Sequence, residues 1–146
     1  MYALRERADR SDWIVGAGLL MPGIERVRLR SMQAPGSAYD APALGNDQPA
    51  TVTGNVGTQE DDGGVHDNAG IPDHALYRAV VAIGGAAWET TGRIRYRALT
   101  GSEPATGADL PTVAALTVSV VSADDRANSS QTTAVHHAWR DAGVRG

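Results

Sequence analysis

The sequence predicts a mainly α-helical single domain with about four helices after a long, loop-rich N-terminal segment. Three observations carry this. Apolar residues recur at helical spacing beyond residue 70, glycines stand at the ends of those stretches, and most of the prolines fall earlier, within residues 13–66. A chain of 146 residues is long enough for one core and too short for two independent ones.

Taken in order, residues 13–66 contain LLMPGIE, QAPGSAYDAPALGNDQP and TGNVGTQEDDGG, all of which read as loops and turns. Connections longer than ~15 residues in a compact domain are usually functional or need support from another body. From Ile71, the residues Leu76, Ala79, Val80 and Ile83 follow one helix face, Pro72 suits a first turn, and Gly84-Gly85 ends the pattern. Ala86 to Leu99 reads as a second helix bearing Trp88, Ile94, Tyr96 and Leu99. Gly92 in its middle weakens it by ~1 kcal/mol, and Gly101 closes it. Asp109 looks like an N-cap before Leu110-Pro111. Val113, Ala114, Leu116, Thr117, Val120 and Val121 then continue a helix of about three turns, although this β-branched run also fits a strand. Val135, Ala138, Trp139 and Ala142 mark one face of a last helix, stopped at Gly143.

Composition narrows the function. Thirteen Lys plus Arg against 17 Asp plus Glu give a net charge of −4, with no basic block to engage a phosphate backbone, so no nucleic-acid partner is expected. The absence of cysteine excludes disulfides, thiolate metal sites and cysteine nucleophiles. No apolar run approaches the ~18 residues of a membrane span, so no membrane partner is expected. The opening MYALRERADRSD holds no apolar stretch of signal-peptide length.

The densest chemistry lies in EDDGGVHDNAGIP, residues 60–72. Carboxylates around a histidine suggest a metal site or a proton-transfer site. The four histidines are His66, His74, His136 and His137, and none forms H-E-x-x-H. On a helix the adjacent His136 and His137 diverge by about 100°, and His66 and His74 share a helix face only if that helix begins well before Pro72. No metal ligand is therefore assigned. For proton transfer, a turn at Gly63-Gly64 would fold Asp61 back onto one nitrogen of His66. Such a contact fixes the tautomer, favours imidazolium and leaves the other N–H as a donor for a developing oxyanion. An exposed loop histidine beside solvated acids is the bland alternative, and spacing alone favours it.

The run DDGGVHDNAGIPDHALY (61–77) resembles the D-N-G-G-V-H-x-N-S-G-I-x-N-x-A-x-Y segment of the thermolysin family of zinc metalloendopeptidases. DWIVGAGLLMPG (12–23) resembles the family's D-W-x-x-G-E stretch, LRSMQAPGSAYD (29–40) its L-R-S-M-x-x-P segment, and GRIRYRALT (92–100) its G-x-I-x-Y-x-x-L-T helix. The wording of APGSAYD and AWE is nearer the protealysin-like branch. The resemblance runs in order from about Ser11 to the C-terminus. It implies the C-terminal helical lobe of the thermolysin-like fold, with 1–12 a remnant of the preceding helix, 13–66 a substrate-facing segment and 67–146 the helical bundle.

By this resemblance His66 falls where the family stabilises the tetrahedral intermediate, and Asp61 where it orients that histidine. Arg30 takes the place of the arginine that contacts the substrate carbonyl, and Leu29 that of an apolar wall of the specificity pocket. Read without the family, Arg30 is a member of a surface salt bridge and Leu29 a core leucine. Asp62, Ala69 and Asp73 stand where the family has Asn, Ser and Asn. Of the carboxylates that the D-W-E-x-G-E stretch gives to calcium only Asp12 remains, with Ile14 and Ala17 at the glutamate positions, so calcium is not expected.

The catalytic zinc of the complete family enzyme rests on H-E-x-x-H and a following glutamate, which are not in this sequence, and Glu6 is not assigned as a ligand. The chain alone is accordingly expected to be inactive. The resemblance implies a peptide or protein substrate and, as partner, a thermolysin-like N-terminal lobe or a second copy. A stand-alone, non-catalytic peptide- or partner-binding module derived from that lobe is the alternative. Secreted and cytoplasmic locations are both compatible with the family.

Overall fold

A computed structural model describes residues 6–16, 29–37, 48–101, 107–125 and 129–145. Of the sequence features above, LLMPGIE, the stretch AYDAPALGND and Ala17 lie outside the described residues, as do residues 1–5.

The protein is mainly α. Its helices are α1 (Asp61–Asn68), α2 (Gly70–Ile83), α3 (Thr91–Thr100), α4 (Leu110–Asp125) and α5 (Ser130–Asp141). The four expected helices correspond to α2–α5, and α1 is an addition that starts on a left-handed turn. The segment read as loops also holds regular structure. Strands β1 (Ile14–Val15) and β2 (Arg30–Ser31) pair antiparallel, with Ile14 opposite Ser31 and Val15 opposite Arg30. One turn of 3-10 helix forms at Val52–Gly54. In the N-terminal stretch, Arg7 bridges Ala86, tying it to the α2–α3 connection.

Local chemistry explains most helix limits. Pro72 is the third residue of α2, where its missing N–H would have had no partner. Gly84, at φ +75°, ends that helix by donating to the Val80 carbonyl at 2.8 Å. Asp109 caps α4, its Oδ1 accepting from the Thr112 amide at 2.9 Å and the Thr112 hydroxyl at 2.6 Å. Ser129 caps α5, its hydroxyl accepting from the Thr132 amide at 3.1 Å. The β-branched run of α4 is helical because Ala114, Thr117 and Val121 bury one stripe against neighbouring helices, and packing outweighs modest propensity differences.

For α3 the sequence reading needs correction. Residues 86–90 make turns instead, with Glu89 donating to Ala86 O at 3.1 Å and Gly92 to Ala87 O at 2.9 Å. Gly92 is thus the second helical residue, and the buried face is Thr91, Ile94 and Ala98. Tyr96 and Leu99 are 69% and 57% exposed. The later start leaves Trp88 outside the helix, and Tyr96 and Leu99 lie off the face set by Ile94 and Ala98.

The core is built from small side chains. Ala75 and Ala79 of α2 meet Val135, Ala138 and Trp139 of α5, with Ile71, Ile94, Ala114, Val121, Ala142 and Val144 in the same cluster. Alanine at these positions lets helix axes approach closely. Trp139 is an aromatic filler of this cluster, and its indole N–H donates at 2.8 Å to the Thr117 hydroxyl, which itself donates to Ala114 O at 2.8 Å. No donor in that chain is left unpaired in the interior. A second cluster, of Ala8, Trp13, Met32, Val80 and Ala87, packs the N-terminal stretch and the β2 loop onto the other side of α2. Trp13 meets Tyr77 edge to face at 5.0 Å and donates to Ala8 O at 3.2 Å. The face of α2 that carries Leu76, Tyr77 and Val80 thereby becomes the floor for the N-terminal stretch and the β2 loop.

Candidate functional site

The turn that leads into α1 is left-handed. Asp61, Asp62, Gly63 and Gly64 have φ of 53°, 48°, 84° and 75° in succession. Glycine reaches this region freely and aspartate more readily than most residues, whereas a β-branched side chain there would be strained. The amides of Gly63 and Gly64 both donate to Glu60 O, at 3.1 and 3.0 Å. The turn expected at Gly63-Gly64 is thus left-handed, and it folds Asp61 back onto His66.

Asp61 holds His66 at two points. Its Oδ2 accepts from the His66 amide at 2.9 Å, and its Oδ1 is in short hydrogen-bond contact with Nδ1. These bonds, led by the one to the His66 ring, keep the Asp61 carboxyl below the usual carboxylate range. The carboxylate accepts, so Nδ1 carries the proton and Nε2 is left outward on a side chain that is 78% exposed. When the ring is doubly protonated, Nε2–H is a donor with its orientation already set.

Arg30 and Leu29 come from β2 and the residue before it. Leu29 donates its amide to Val15 O at 3.0 Å, and its side chain lies over Gly16, where an added Cβ would come within 2.6 Å of Leu29 Cγ. Gly16 is required there both for that contact and for its φ of +78°. Leu29 is 42% exposed, so it lies at the surface and not in the core.

Arg30 forms an ion pair, as the family-free reading anticipated, but in a partly buried cluster. Its Nη1 lies 3.6 Å from Asp73 Oδ2, and Arg95 Nη2 lies 3.7 Å from Asp73 Oδ1. Burial pushes the Asp73 carboxyl up, and the charges of Arg95 and Arg30 oppose that without reversing it.

The fold brings these groups to one end of α2. His66 precedes the helix and Asp73 lies in its first turns, a separation of roughly 10 Å along a helical path. The β2 loop is fixed alongside by His74, whose Nδ1 donates to Met32 O at 3.2 Å while its ring stacks on Tyr77 at 5.8 Å. His74 is therefore a tether, apart from the Asp61–His66 pair. His136 and His137 are exposed on α5 with ring centroids 6.3 Å apart. Asp12 turns its Oδ1 to the Ile14 amide at 3.0 Å.

Three features were missed in the sequence. Asn68 bonds Val56 and Gly63 through its side-chain amide, Asp73 joins two arginines, and Gly16 makes room for Leu29. Only Asn68 had a visible signal, a polar residue at a fixed step after His66. Among the described residues no group of three or more His, Asp or Glu side chains is placed to hold a metal ion. The site offers one imidazole nitrogen and does not fit a zinc centre.

Comparison with known proteins gives concordant matches. Residues 1–144 match the family described as "Thermolysin metallopeptidase, alpha-helical domain". An extracellular metalloprotease of Pectobacterium carotovorum is 42% identical over 144 residues, which cover 98% of this chain and 41% of the relative. Protease PrtS of Photorhabdus is 38% identical over 99% of this chain and 39% of its own length. Among solved structures, the precursor of protealysin from Serratia proteamaculans superposes with a TM-score of 0.90 at 43% identity, over 99% of this chain and 44% of that one. The chain thus spans about two fifths of the length of these relatives.

Proposed function

We propose, on the premise that this chain belongs to the thermolysin metallopeptidase family as its alpha-helical domain, that it is the substrate-facing C-terminal lobe of a metalloendopeptidase. The observation that carries the reading is the closed Asp61–His66 pair with Nε2 turned outward. In this reading His66 donates from Nε2 to the oxyanion of the tetrahedral intermediate, and Asp61 holds its tautomer and orientation. Arg30 contacts the substrate carbonyl while Leu29 forms an apolar wall for the residue after the cut. The chain is one domain, with residues 13–66 facing substrate and 67–146 supporting them.

Zinc belongs to the activity that the family name implies. The described residues do not supply its ligands, so the partner is a thermolysin-like N-terminal lobe that carries the metal, and no step is assigned to zinc on this chain. The matching relatives are an extracellular metalloprotease, a protease and the precursor of protealysin. An oxyanion donor contributes about 10²–10³-fold, against the 10⁶ or more of a whole enzyme. The chain by itself therefore does not cleave peptides.

The test is to co-express the chain with the N-terminal lobe of a thermolysin-like relative, supply zinc and assay peptide cleavage. Wild type is expected to restore activity, and His66→Ala to lower kcat by about 10²–10³-fold. Restored activity indifferent to His66→Ala would sink the assigned role. Failure of every combination, with peptide binding retained, would favour a non-catalytic binding module.

A further inference from the structure

We infer that Asn68 is a positioning residue for the Asp61–His66 pair, acting by fixing the left-handed turn from which Asp61 projects. This deepens the function proposed above and rests on it only for its catalytic meaning.

The Asn68 side chain uses both amide protons and its oxygen. Oδ1 accepts from the Val56 amide at 2.8 Å, and Nδ2 donates to Val56 O at 3.0 Å and to Gly63 O at 3.2 Å. Only one orientation of the amide satisfies all three, because Val56 N–H needs an acceptor and the two carbonyls need donors. The Val56 backbone is thus paired as it would be by a neighbouring strand, but by a side chain 12 residues away. The third bond reaches the middle of the left-handed turn, between Asp61 and His66.

The packing has no slack at this point. A Cβ placed on Gly64 would lie 3.2 Å from Asn68 Nδ2, 3.3 Å from Val56 O and 3.1 Å from Thr58 Cγ2. The turn therefore sits flush on the segment that Asn68 grips. Asp61 and Asp62 occupy left-handed φ at the cost that any non-glycine residue bears there, and among the described residues the backbone of the turn is held by the two amides on Glu60 O and by the Asn68 bond to Gly63 O, with the Asp61 carboxylate closing on His66. Removing the Gly63 contact frees the turn to relax toward right-handed values, which swings the Asp61 carboxylate away from Nδ1. His66 itself is exposed and makes no other side-chain hydrogen bond among the described residues, so its ring then loses its single tautomer.

Asn68→Asp is the decisive variant. It keeps the shape and the acceptor for Val56 N–H but turns an acceptor toward Val56 O and Gly63 O. Asn68→Ala removes all three bonds. The readout is the ¹⁵N spectrum of the His66 ring in the full chain, above the range where imidazole titrates, with Asp61→Ala as the reference for a released ring. Wild type is expected to show Nδ1–H as one dominant tautomer, and Asn68→Asp and Asn68→Ala the averaged pattern of Asp61→Ala, with helical circular dichroism retained. A dominant Nδ1–H tautomer in folded Asn68→Asp would overturn the inference, and mere loss of thermal stability would not reproduce the tautomer change. Should both variants unfold, amide exchange in wild type decides: slow exchange at Val56 supports the clamp, and exchange at the unstructured rate overturns it. None of these readouts needs peptidase activity, so the inference and the proposed function fail separately.

Discussion

Two aspartates on one run of chain, Asp61 and Asp73, meet opposite environments. Asp61 is exposed, and hydrogen bonds from the ring and amide of His66 hold its carboxyl below the usual range. Asp73 is half-buried between two guanidinium groups, yet its carboxyl is pushed up because lost hydration outweighs ion pairs at 3.6 and 3.7 Å. Short, directed hydrogen bonds govern the first site, and desolvation governs the second. A count of charged partners would have ranked them in the reverse order.

The comparison can be broken at several points. The largest effect is expected from Gly64→Ala, which places a side chain at φ +75° and against Asn68 and Val56. It should cost about 2 kcal/mol in urea unfolding, because the stability of the Asp61 site lies in backbone conformation. No loss, or a gain of the kind that Gly→Ala brings at an exposed helical site, would mean that the turn is not held.

Arg30→Met comes next. It leaves the Asp73 carboxylate to Arg95 alone and should cost about 1–2 kcal/mol at neutral pH, less than the 3–5 kcal/mol of a fully buried pair since one partner and some solvent remain. The loss should shrink in acid, where Asp73 is protonated. An unchanged penalty at low pH would point to packing of the arginine stem as the cause.

The smallest effects carry the sharpest test, because their signs differ. The folded pKa of Asp73 is raised, so its contribution to stability is full below the unfolded value of about 3.9 and is lost as pH rises through the folded value. Asp73→Asn should therefore match or exceed wild-type stability at neutral pH and remove that decline. The folded pKa of Asp61 is lowered, so its contribution is present above about 3.9 and is lost as pH falls through the folded value. Asp61→Asn should reduce stability at neutral pH, with the difference vanishing in acid. Urea titrations from pH 3 to 8 on both variants check this, and the same sign for both would end the distinction.

Much of this could be read in the one-dimensional pattern, because it is local. The periodic residues and the Gly84 stop of α2, the Asp109 cap of α4 and the stripe of α5 are written within one or two turns of the residues concerned. The limit of α3 was misplaced because Trp88 extends an apolar pattern into residues whose amides bond in turns. The proximity of Asp61 and His66 was legible because five residues and two glycines separate them. The chemical role proposed for them rests on resemblance, since spacing alone favours a solvated loop.

What the sequence determined by itself is therefore the set of local choices: a mainly helical domain, the glycines that permit a left-handed turn, and an aspartate within reach of one histidine. Only the tertiary structure decided which groups meet across distance. Asn68 grips Val56 from 12 residues away, His74 ties down Met32 from 42, and Asp73 receives Arg30 and Arg95 from two different elements. The physical reason is that propensity and capping act between neighbours in the chain, whereas desolvation and long-range hydrogen bonding depend on what packing places beside a group.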